Sequence, residues 1–147
     1  MSAIATYESL IAQQIKALRE LRDRELEKRQ ALADANLDLF GKVQDLCDAV
    51  FERIMKLDAK LSAMTDRLER DSLSAEQRDR LGKLNQIRQD AVDQANAENQ
   101  INQKILTELL DEMGRHIQHV RKGQKAIAGY GRGLKLGKPP SIISGDV

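Results

Sequence analysis

The sequence predicts an all-α protein: an antiparallel three-helix bundle of long helices, with an extended C-terminal helix and a flexible basic tail. Three observations carry this expectation. Charged residues make up 32% and aromatic residues 3% of the 147 positions, a composition poor in the aromatic side chains on which β-sheets lean. The only two prolines, Pro139 and Pro140, stand near the end, and six of the nine glycines fall at or after Gly123. A body nearly free of helix breakers, followed by a stretch rich in them, reads as long helices and a loose C-terminus. One domain is expected at this length. It comprises a helical bundle over residues 1–128, with helices near 3–33, 37–70 and 75–127, and a tail over 129–147.

The first helix follows from Ile4, Tyr7, Ile11, Ile15, Leu18, Leu21 and Leu26, whose steps of three to five place them on one helical face. The charges between them, including Glu20, Arg24, Glu25 and Glu27, read as a solvated face; pairs such as Glu20–Arg24 add only ~0.2–0.5 kcal/mol each. Asp34 and Asn36 are good N-caps, which places a hairpin turn near residues 33–37. The alternative is one continuous helix from residue 4 to 70, roughly 100 Å long, with no partner along much of its length. A hairpin buries the two stripes against each other.

The second helix carries Val43, Leu46, Val50, Ile54, Leu57, Leu61, Met64 and Leu68 at steps of three and four, a near-heptad seam suited to antiparallel packing. Cys47 lies among Leu46, Val50 and Phe51 and reads as a buried, inert thiol. As the only cysteine it excludes an intramolecular disulfide and a cysteine-cluster zinc site.

The third helix opens on Ser74 and Gln77, a capping box, with Glu76 adding negative charge to the first turn. Its stripe runs through Leu81, Leu84, Ile87, Ala91 and Ala95, then Ile105, Leu109, Met113, Ile117, Val120 and Ile127. Between residues 94 and 104 the stripe turns polar, with Asn96, Asn99 and Asn102 along one side. Two readings stand: a polar layer or solvated surface that fixes register, or a recognition patch whose amides bond to an incoming peptide. Helices one and two would each span ~50 Å and helix three ~80 Å. The second helix would then cover the third only to about residue 108. The overhang still bears Leu109, Leu110, Met113, Ile117 and Val120, an amphipathic face expected to bind another protein, another copy or a folded-back tail.

Net charge is +1, but residues 1–120 hold 18 Lys and Arg against 22 Asp and Glu, whereas residues 121–147 hold six basic residues against Asp146 alone. A basic tail on an acidic body suits an acidic protein surface, anionic lipid or nucleic acid. Nucleic acid is disfavoured, because only Tyr130 is available there to stack on bases. The N-terminus lacks a basic segment followed by an apolar one, and no apolar run approaches the ~20 residues of a membrane span. A cytoplasmic protein without membrane insertion is expected.

Chemistry-bearing constellations are missing. His116 and His119 lack the further ligands a metal site needs and read as surface histidines. Gly129-Tyr130-Gly131-Arg132-Gly133 is glycine-rich but follows a helix rather than a strand. No nucleophile, base and orienting group can be assembled, so a non-enzyme without metal or cofactor is expected. Tyr130, Leu134, Leu136, Ile142 and Ile143 punctuate the tail, as linear-motif anchors that order on binding or as parts of an inert tail.

Three long helices, the step Asn96-Ala97-Glu98-Asn99 entering an amphipathic final helix, and Tyr130-Gly131 shortly after it resemble the flagellar export chaperones of the FlgN type. The resemblance implies a carrier that binds the C-terminal helices of hook-associated (hook–filament junction) proteins, prevents their premature association and delivers them to the flagellar type III export gate. It implies a client surface at Leu106, Leu109, Leu110, Met113, Ile117 and Val120 and a gate contact at Tyr130, beside which the polar patch at Asn96, Asn99 and Asn102 stands as a reading of the residues themselves. The competing expectation is a dimeric coiled-coil adaptor, in which the overhang meets a second copy.

Overall fold

The computed structural model describes residues 2–114 and shows three α-helices: α1 (Ala3–Ala33), α2 (Leu37–Arg70) and α3 (Ala75–Met113). Each start is capped by the side chain the sequence offers. Ser2 accepts a hydrogen bond from the Ala5 amide, and Asn36 accepts one from Leu39. At α3 both arms of the capping box form: Gln77 N–H donates to Ser74 Oγ at 3.1 Å, and Ser74 N–H donates to Gln77 Oε1 at 2.9 Å. Two orphan donors of the first turn are thereby satisfied.

The break after α1 is a hairpin, as the capping residues suggest, and not a continuous rod. The Asn36 amide donates to Ala31 O and the Ala35 amide to Leu32 O, the paired bonds of a Schellman turn. That turn needs a left-handed residue, and Ala35 supplies it with φ 51°. Ala35 therefore carries strain of about 1 kcal/mol that glycine would not. The converse holds at Gly41 and Gly82, which lie inside helices where an added Cβ would meet open space. Gly41→Ala and Gly82→Ala are each expected to stabilise the protein by about 0.5–1 kcal/mol, and Ala35→Gly to leave stability unchanged or raise it. Urea midpoints at constant m-value measure all three.

The ends of the bundle differ from expectation at α3. The helix stops at Met113, short of residue 127, because Gly114 adopts φ 67° and leaves the α-helical region while its amide closes a last bond to Leu110 O. The expected continuation through Ile117, Val120 and Ile127, and the tail with Tyr130, fall outside the described residues.

α1 is the organising element. It packs against α2 and against α3, whereas the backbones of α2 and α3 do not approach each other closely. α2 runs back along α1. α3 then runs parallel to α1 in a nearly constant register, set by Arg80–Glu8 at 3.0 Å, Arg22–Gln94 at 3.2 Å and Arg29–Asn102 at 3.2 Å. Ala33 thus lies level with residues near 105, and α3 rises past the end of α1 by about two turns.

The core falls into three apolar clusters stacked along the axis. Tyr7, Ile11, Ile15, Leu61, Leu68 and Leu81 fill the end near the α2–α3 turn. Leu18, Leu21, Val43, Cys47, Val50 and Ile54, with Ala91, Val92 and Ala95, fill the middle. Ala31, Leu32, Phe40, Leu106 and Leu110 close the far end. Within the bundle the stripe residues Leu26, Leu46 and Ile87 turn outward instead and are exposed. Their places are taken by Glu25 and Lys28 on α1, Cys47 on α2 and Arg88 on α3, all buried.

Candidate functional site

The polar stretch of α3 is not a surface. Asn99 and Asn102 are fully buried against α1, Asn96 is half-buried, and the three do not form an accessible recognition patch. Their partner is Glu25, which the alternation of charges had placed in solvent and which is fully buried. Asn102 Nδ2 donates to Glu25 O at 2.7 Å and to Glu25 Oε1 at 3.0 Å, and Asn99 Nδ2 lies 3.4 Å from Glu25 Oε2. Lys28, one turn on, is equally buried and reaches Glu25 Oε1 at 2.8 Å and Gln44 Oε1 of α2 at 2.8 Å. Its ammonium also sits 5.7 Å from the centre of the Phe40 ring, within cation–π range.

This layer ties all three helices at one height. Gln44 passes the chain on to Asp48 at 2.9 Å, while Arg29 donates to Asn102 Oδ1 at 3.2 Å and pairs with Glu98. A one-turn slip of α3 would strand two carboxamides and a carboxylate in an apolar interior, where an unmatched polar group costs about 1–3 kcal/mol. Register is therefore specified by these bonds, the device buried polar residues serve in coiled coils. Because its members already satisfy one another, the layer offers no open valence to a ligand.

The layer also bears on Cys47, which is buried as the sequence suggests. Burial pushes its thiol up to about 12, against the counter-pull of the Lys28 ammonium and with help from Glu25. A second polar level lies between the middle and lower clusters, where Arg88 stands 3.9 Å from Asp58 and Gln14 Nε2 donates to Ile54 O at 3.1 Å. Beside it the Tyr7 hydroxyl is raised to about 12, chiefly by burial, with Arg88 lowering it and Asp58 raising it. In the unfolded chain these groups ionise near 9 and near 10. The fold keeps protons that the unfolded chain releases. The associated stability is therefore intact below about pH 9 and is expected to fall as pH rises from about 9 toward 12. Urea titrations at about pH 8 and about pH 11 check this, and Cys47→Ala should flatten part of the decline.

The end of α3 divides the expected client surface. Leu106 is fully buried and Leu110 nearly so, both packed on Ala31, Leu32 and Phe40; these two are core, because the α1–α2 turn folds over them. Ile105 and Leu109 are half-buried against the same cluster, and Met113 is 40% exposed. Ile101, which the stripe reading passed over, is 44% exposed. Ile101, Ile105, Leu109 and Met113 recur every fourth residue, a single i±4 ridge of the kind that packs into the groove of a partner helix. The step of four from Ile105 through Leu109 to Met113 is legible in the sequence, whereas Ile101 is hidden by its place in the polar stretch between residues 94 and 104.

No described helix is long and apolar enough to cross a membrane, and no group of three or more potential metal ligands occurs among the described residues. His116 and His119, like Ile117, Val120 and Tyr130, lie outside them. No protein-family model, curated protein or solved structure matches the chain.

Proposed function

We propose that the protein acts by binding alone, as a cytoplasmic flagellar export chaperone of the FlgN type that holds the C-terminal helices of hook-associated proteins and delivers them to the export gate. The observation that supports this reading is the ridge of Ile101, Ile105, Leu109 and Met113 at the end of α3, which continues past the end of α1 with half-buried and exposed apolar side chains. An amphipathic client helix laid along it would exclude water from both faces, gaining roughly 1–2 kcal/mol for each side chain whose exposed part it covers. Association and ordering costs reduce that gain, which suits a cargo that must be released. Met113 adds a polarisable, adaptable contact. In this reading Ile117 and Val120 extend the same client surface, and Tyr130 contacts the gate.

The test is a titration of the full chain with a synthetic C-terminal helix of a hook-associated protein. Ile101→Asp with Met113→Asp is expected to weaken binding by about tenfold or more while leaving the melting temperature nearly unchanged, since both side chains are exposed. Binding that survives both substitutions, or no binding by the unmodified chain, overturns the proposal. A stable dimer in sedimentation that the same substitutions dissociate would instead favour the coiled-coil adaptor. Truncation after Gly129 is expected to spare client binding and impair export.

A further inference from the structure

On the side of α1 that faces α2, a groove of about 370 Å³ runs between the two helices. Lys16 from α1 and Arg53, Lys56 and Lys60 from α2 line it, with Glu20 as the single acidic member. Glu20 is already engaged, bonded to Arg53 at 3.0 Å across the groove. Lys16, Lys56 and Lys60 are exposed and make no ion pair or hydrogen bond among the described residues.

That cluster of lysines stands on a body of net negative charge. Residues 2–114 hold 17 Lys and Arg against 22 Asp and Glu, and several cations elsewhere are matched, Arg24 with Glu27, Arg29 with Glu98, Arg80 with Glu8 and Lys83 with Asp79. Three unmatched cations around one cleft in an otherwise acidic surface focus positive potential there.

We infer that the α1–α2 groove is a docking site for an acidic amphipathic helix of a partner protein, its carboxylates meeting Lys16, Lys56 and Lys60 and its apolar edge resting on Ala17 and Leu57. Arg53, Lys56 and Lys60 follow one another at steps of three and four along α2 and span about 10 Å, the spacing of carboxylates along one face of a helix. The floor between the cations is apolar, formed by buried Ala17 and half-buried Leu57, so a purely polar anion would leave it uncovered. No aromatic side chain lines the groove, which removes the stacking a nucleotide would use. The protein's own residues 121–147 carry six basic groups and one acidic one, so they are the wrong sign to occupy it. The site is separate from the α3 ridge, and its test does not depend on that ridge.

The probe is a short fluorescein-labelled helical peptide with Glu on one face and Leu on its edge, titrated into the full chain and read by anisotropy. Saturable one-to-one binding is expected. It should weaken by about tenfold or more in Lys56→Glu with Lys60→Glu, and fall likewise as ionic strength rises from about 0.05 M to about 0.5 M. Lys16→Glu, on the other helix, should act in the same direction, and Ile101→Asp with Met113→Asp should leave binding unchanged. Equal binding of the Gln-for-Glu peptide, or indifference to the lysine substitutions, overturns the inference. So does tighter binding of inorganic tripolyphosphate than of the peptide, or a dimer in sedimentation that the charge reversals dissociate.

Discussion

Lys28→Met is expected to destabilise the fold by about 3–5 kcal/mol, a large share of the 5–15 kcal/mol typical of a domain this size. The side chains are similar in length, so little volume is lost and the effect isolates the charge. Lys28 and Glu25 are both fully buried, 2.8 Å apart. Removing the ammonium leaves the Glu25 carboxylate in an apolar surround with only carboxamide donors from Asn99 and Asn102. Gln44 Oε1 loses a donor at the same time. Glu25→Leu combined with Lys28→Met is expected to cost less than the sum of the two single changes, because it removes both charges together. It should not restore full stability, since Asn99 would then lose its carboxylate acceptor. Urea denaturation of the four proteins of this cycle measures the coupling. Single changes that each cost under about 1 kcal/mol and simply add would mean that the pair is not desolvated.

The same residues show what the sequence could and could not disclose. The helices, their caps and the hairpin are legible because each rests on local chemistry: Ser74 with Gln77, Asn36, and steps of three and four between apolar residues. The polar layer is harder, since burial is not a local property. Yet the period survives where the hydrophobicity lapses. Leu18, Leu21, Glu25, Lys28 and Leu32 continue the three–four alternation on α1, and Ala95, Asn99, Asn102 and Leu106 continue it on α3. Reading period rather than polarity would have placed these residues inward, opposite each other. The end of α3 is not legible in that way. Gly41 and Gly82 sit inside helices while Gly114 ends one, and nothing in the residue type separates the cases. What decides is packing: α3 loses α1 as a partner near residue 106, and only the α1–α2 turn supports its last turns.

That support makes Leu106→Ala the sharper probe of the division between core and ridge. Leu106 is fully buried among Ala31, Leu32, Phe40 and Leu110, so truncation leaves a cavity and is expected to cost about 2–5 kcal/mol, lowering the melting temperature by the order of 10 °C. Met113→Ala, seven residues on and 40% exposed, is expected to stay within about 0.5 kcal/mol. Thermal melts of the two variants, with client-peptide titrations alongside, separate the roles. Leu106→Ala should retain client affinity at temperatures where it stays folded, whereas Met113→Ala should lose affinity without losing stability. The opposite pattern, a stable Leu106→Ala that no longer binds, would mean that the α1–α2 turn uncovers this cluster for the client. Phe40 would then be the moving part, for it covers Leu106 on one side and meets the Lys28 ammonium on the other. Lifting it would expose the end of the core and the buried charge together, and the desolvation cost of Lys28 argues that the turn stays closed.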